Sequence, residues 1–235
     1  MPGHILYKSA GKRVPESAAW MCLVDHWRAV LNKYLSRIEE DDLPQWYNER
    51  SHTGFLAAAV WRMGGIALEE FSTSREHGNK SGVAELSSGQ CDLYFSVENL
   101  NCLVEAKREW VTGYTKQDAQ RIKKRLGEAE KQLRTIPKPE RAEQGIRLCW
   151  AVPWVRPNLS KERQDLKEFA HQFSGPSSLV GVYYVDHPSR RKAESNYENE
   201  ERSYPGIIMI ATALSNYSRK AAQQEKRDGL LNRQD

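Results

Sequence analysis

The chain has 235 residues, 39% of them hydrophobic and 28% charged, with a formal net charge of +4. A domain of this length buries roughly 70% of its unfolded surface, and seven tryptophans, ten tyrosines and five phenylalanines argue against disorder throughout. No stretch approaches the roughly 18 apolar residues of a bilayer span and residues 1–16 hold no signal-peptide core, so a cytoplasmic protein without a membrane partner is expected.

Taken in order, Glu16–Glu40 predicts an amphipathic helix, because Trp20, Leu23, Val24, Trp27, Leu31, Tyr34, Leu35 and Ile38 recur at three- and four-residue spacing. A second helix is expected from the region Pro44–Glu49 to Met63, stopped by Gly64-Gly65. The period then becomes strand-like at Ile66–Ser72. Thr73–Gly89 reads as a polar loop, followed by strands at Gln90–Val97 and Asn101–Lys107 that form a hairpin. A helix is expected over Lys116–Thr135, ended by Pro137 and Pro139, then a strand at Ile146–Val155, a helix at Lys161–Phe173 and strands at Leu179–Val185 and Gly206–Leu214. Asp186–Pro205 reads as a charged, mobile loop. The organisation predicted is an N-terminal helical extension (1–48), an α/β domain (49–214) and a polar tail (215–235).

Metal sites built on cysteine or histidine are not expected. Cys22, Cys91, Cys102 and Cys149 form no CxxC, and the six histidines form no HxH or HxxxH. The four cysteines lie in apolar stretches, where a reduced thiol behaves as a small hydrophobe.

The chemistry is concentrated in the hairpin. Glu105 and Lys107 are two residues apart on a strand and so share a face. Folding back about Asn99 sets Asp92 opposite them, to within about one residue of register. Two carboxylates and an ammonium then meet on a rigid sheet, and carboxylate oxygens suit a hard cation. The bland reading of the same residues is a salt bridge at a sheet edge. Asp165-Leu166-Lys167 repeats the carboxylate-x-lysine spacing, but in a predicted helix, where residues i and i+2 do not face together.

At this point the chain resembles the PD-(D/E)XK nuclease superfamily: Asp92, twelve residues, then Glu105-Ala106-Lys107, with Glu49 in the first core helix and the element order αβββαβ over 49–155. No proline precedes Asp92, where this chain has Cys91. The resemblance implies a restriction-endonuclease-like core, a mixed central sheet flanked by helices. It also implies a catalytic set of Asp92, Glu105, Lys107 and Glu49, with Mg²⁺ or Mn²⁺ held by Asp92, Glu105, Glu49 and the Ala106 carbonyl. Glu69 and Glu70 compete with Glu49 for its role.

The expected activity is phosphodiester hydrolysis in DNA, in a setting of defence, restriction or repair. The alternative is an inactive member of the fold that binds nucleic acid or assembles a complex, and a homodimer or a partner protein fits either reading. Nucleic-acid contacts are expected from Gln90, Tyr114, Lys116, Gln117, Arg121 and Lys124, since Lys116–Thr135 carries seven basic against three acidic residues. Trp110, Trp150 and Trp154 are read as core or edge residues before base-stacking ones.

Overall fold

A computed structural model describes residues 3–14, 16–37, 44, 47–78, 84–155, 161–185, 192–193 and 202–214. The strands are β1 (His4–Ala10), β2 (Ile66–Gly78), β3 (Ala84–Val97), β4 (Leu100–Val111), β5 (Gln144–Pro153), β6 (Ser178–Tyr184), β7 (Lys192–Ala193), β8 (Arg202–Ser203) and β9 (Gly206–Ala213). The helices are α1 (Ser17–Leu35), α2 (Glu49–Arg62), α3 (Lys116–Thr135) and α4 (Glu162–His171). Seven strands form one mixed sheet in the order β1-β6-β9-β5-β4-β3-β2, with β4 and β5 parallel and the other pairs antiparallel.

Period-two alternation divides the sheet into two apolar faces. Leu148 and Trp150 of β5 and Ile207, Met209 and Ala211 of β9 pack under α1 and α2, against Trp20, Leu23, Trp27, Leu31, Leu56 and Val60. Cys149, Ala151, Ile208 and Ile210 face the other way, towards Ile122 and Leu126 of α3 and Leu166 and Phe169 of α4. Both faces are covered, as strands rich in aliphatic residues require. The four cysteines are free thiols. Among the described residues no helix is long and apolar enough to cross a membrane.

Three expectations need correction. The segment 1–48 is more than a helical extension: β1 pairs with β6 at the sheet edge, and Trp20 and Trp27 of α1 sit in the main core. The expected loop Thr73–Gly89 is instead the far half of a long hairpin, paired without a break in register from Thr73↔Gly89 to Gly78↔Ala84. Its side chains are polar, yet strand pairing is made by backbone groups and needs no apolar side chain. The second helix begins at Glu49, within the expected region Pro44–Glu49, where the Asn48 side chain accepts a hydrogen bond from Ser51 N–H at 3.1 Å. Of the charged loop, Lys192–Ala193 and Arg202–Ser203 pair as β7 and β8. The rest of that segment up to residue 201, the expected helix end at 38–40 and the tail 215–235 lie outside the described residues.

Candidate active site

The site lies at a fork in the sheet. β3 pairs with β4 only from Leu93↔Val104 to Val97↔Leu100, whereas β2 stays with β3 to its far end and β4 continues beside β5 to Val111↔Pro153. Where β3 leaves, the β4 amides on that side lose their strand partners, and buried N–H groups must find others. Ala106 N–H donates to Asp92 Oδ2 at 2.7 Å, and Arg108 N–H to the Glu49 carboxylate. The opened sheet thus fixes one carboxylate from β3 and one from the first turn of α2.

Backbone strain marks the same point. Glu70, at the step between the pairs Glu69↔Leu93 and Phe71↔Cys91, has φ 48, a left-handed conformation that costs an ordinary residue on the order of 1–2 kcal/mol. The pleat reverses there. Leu93 belongs to the cluster under α1 and α2, whereas Cys91 and Phe71 belong to one beneath α3 with Leu103 and Leu133. Asp92 sits at the reversal, which simple alternation does not foresee.

Lys107 lies at the centre. Its Nζ donates to the Ala106 carbonyl at 2.5 Å and stands 3.6 Å from Glu49 Oε1 and 3.7 Å from Asp92 Oδ2. Glu105 is 1% exposed. Its Oε1 accepts from Arg75 Nη2 at 2.5 Å, and its carboxyl is in hydrogen-bonding reach of Asp92. Burial, then the Asp92 charge, push the Glu105 carboxyl up to about 7, with Arg75 acting in the opposite direction. Burial also raises Glu49, with Lys107 opposing.

In front of these groups is a cleft of about 210 Å³ lined by Glu49, Arg50, Thr53, Glu69, Glu70 and Asp92. Glu70 is ion-paired with Arg50. Glu69 lies over Gly54 of α2, where an added Cβ would come 3.3 Å from its Oε2. Burial, then Glu70, raise the Glu69 carboxyl. All three rival glutamates therefore reach the cleft, and Glu49 is the one paired with Lys107.

Among the described residues no three His, Cys, Asp or Glu side chains form a ready metal cage. The oxygen donors nonetheless fit a hard cation: Glu49 Oε1, Asp92 Oδ2 and the Ala106 carbonyl surround a point now holding the Lys107 ammonium. Two carboxyls in contact, Asp92 and Glu105, also leave negative charge that a cation would neutralise.

The expected nucleic-acid contacts divide. Lys116, Gln117 and Lys124 are exposed on α3, and Gln90 is exposed on β3. Arg121 is engaged internally, by Glu109 at 3.0 Å, the Trp110 carbonyl at 3.1 Å and Asp118. The Tyr114 ring packs on Phe169 at 5.4 Å and its hydroxyl is buried, which raises that phenol well above the usual range. Trp150 is core, and Trp110 and Trp154 pack together and on Tyr204. Asp165-Leu166-Lys167 lies on α4 with Leu166 in the core.

Arg75 and Arg50 were not foreseen as site residues. Arg75 fell in the supposed loop, and the available signal was indirect: a carboxylate inside an apolar strand requires a buried cation. The chain matches no protein family, no characterised protein and no solved structure.

Proposed function

We propose that this chain is a metal-dependent nuclease with a restriction-endonuclease-like core, hydrolysing phosphodiester bonds in DNA. The observation that carries the reading is the fork, which gathers Asp92, Glu49 and the Ala106 carbonyl within 3.7 Å of the Lys107 nitrogen. Element order supports it, since α2, β2, β3, β4, α3 and β5 follow one another as αβββαβ. A bare edge salt bridge would need one carboxylate, not three carboxyls, a carbonyl and an amide-lined fork.

Asp92 and Glu49 would hold Mg²⁺ or Mn²⁺, with Ala106 O and Glu105 completing the oxygen set. Such an ion polarises a phosphoryl oxygen and offsets charge that develops in the transition state. The β4 amides fix the two carboxylates, so their geometry is set before substrate arrives. Lys107, on a flexible stem, has to give up its present contacts to reach a phosphate oxygen or an attacking water, where its three N–H donors stabilise negative charge. The exposed Lys116 and Lys124 on α3 supply phosphate contacts whose strength falls with salt.

One observation favours a second reading, an inactive member of the fold that binds nucleic acid: Arg75 already satisfies one oxygen of Glu105. The deciding experiment incubates the protein and its Lys107→Ala variant with linear and circular DNA, single-stranded DNA and RNA, in Mg²⁺, Mn²⁺ or EDTA. Metal-dependent cutting that drops at least 100-fold in the variant is expected. Binding of nucleic acid with no cutting in either protein would select the second reading.

A further inference from the structure

Arg75 is a buried cation on the outer half of the β2–β3 hairpin, where a surface strand has no need of one. Its guanidinium makes four contacts. Nη1 donates to the Gln132 carbonyl at 2.6 Å and to Thr135 Oγ1 at 3.3 Å, both in the last turn of α3. Nη2 donates to the Gln90 carbonyl on β3 and to Glu105 Oε1 at 2.5 Å. Gly89 makes room for the stem, because a Cβ there would come 2.4 Å from Arg75 Cγ. The guanidinium is therefore held by three other acceptors besides Glu105.

Glu105 has few ways to be held. It is 1% exposed, and the carboxyl it touches, that of Asp92, repels it once both are charged. Left alone, the glutamate would be free to turn from Asp92. A planar guanidinium fixed through other acceptors restrains one oxygen in direction as well as charge, which a lysine does not do.

We infer that Arg75 is a positioning residue for the cation site: it holds Glu105 against Asp92, and the outer hairpin thereby sets the geometry of a carboxylate on β4. This rests on the cation site of the proposed nuclease. The divalent ion is the ligand concerned, and Arg75 acts on it only through Glu105.

The test is Mn²⁺ binding by calorimetry to the full chain, in wild type, Arg75→Met, Arg75→Lys, Glu105→Gln and the double variant Arg75→Met/Glu105→Gln. Arg75→Met is expected to weaken Mn²⁺ binding at least tenfold, with Arg75→Lys recovering part of the loss. In the Glu105→Gln background Arg75→Met should cost less than twofold more. DNA affinity in EDTA should stay within twofold of wild type, which a general structural defect would not allow. Gly89→Ala, which presses on the Arg75 stem without removing its charge, should fall between wild type and Arg75→Met, and it carries the test if Arg75→Met does not fold. Wild-type affinity in both Arg75→Met and Gly89→Ala, or equal loss from Arg75→Met with and without Glu105, overturns the inference. No Mn²⁺ binding by the wild type overturns the nuclease reading and the inference with it.

Discussion

Replacing Glu105 by glutamine should stabilise the metal-free protein, and increasingly so as the pH rises. The glutamate carboxyl is raised from 4.5 to about 7 by burial and by Asp92. The folded state therefore keeps its proton through a window in which the unfolded chain has lost it. Stability from this group is full below pH 4.5 and is lost as the pH rises through 7. At about 1.4 kcal/mol per pH unit the whole window is worth about 3 kcal/mol, most of it falling between pH 5 and pH 8. Glutamine resembles the protonated acid in shape and charge, so it escapes the loss while it can still accept from Arg75. Urea unfolding in EDTA, followed by tryptophan fluorescence at pH 5, 6, 7 and 8, should show the variant gaining on wild type by about 2–3 kcal/mol over that range. A gap that stays constant or narrows with pH would refute the account of Glu105 as a carboxyl held at a cost beside Asp92. The same variant should bind Mn²⁺ more weakly, so stability and cation affinity move in opposite directions.

His52 titrates with the opposite sign. Its ring is 1% exposed and tilted against Trp150, with centroids 5.7 Å apart, and burial, then Arg108, lower it from 6.5 to about 3. The folded state stays neutral while the unfolded chain takes up a proton below pH 6.5, so this group costs the wild type about 2 kcal/mol between pH 7.5 and pH 5. His52→Leu should remove that loss, and parallel pH–stability curves for variant and wild type would refute it. Two glycines should respond to alanine in opposite directions. Gly65→Ala would bring a Cβ within 2.5 Å of Val97 Cβ and 2.6 Å of the Ser96 carbonyl, and should cost about 1–3 kcal/mol in chemical denaturation. Gly127→Ala, inside α3 with nothing within 4 Å of the added carbon, should stabilise by about 0.5–1 kcal/mol, and a loss there would refute it.

The sequence alone determined the helices and the inner strands, because their signals are local. Trp20, Leu23, Trp27 and Leu31 declare one helical face. The alternation of β5 and β9 declares two sheet faces, and the chain turns at Glu98-Asn99 as expected. It also set Asp92 within a residue of Glu105, since a tight hairpin leaves little freedom of register. What it could not determine were the groups supplied from far along the chain. β1 lacks a strong apolar alternation and is held by its partner β6. The polar outer hairpin is held as β-structure by backbone pairing that no side-chain pattern announces. The fork itself exists because β4 follows β5 while β3 follows β2, so which amides are freed for Asp92 and Glu49 is a property of the assembled sheet. Arg75 reaches Glu105 across 30 residues of sequence, and the need of a buried carboxylate for a cation could be read from the sequence, whereas the residue that supplies it could not.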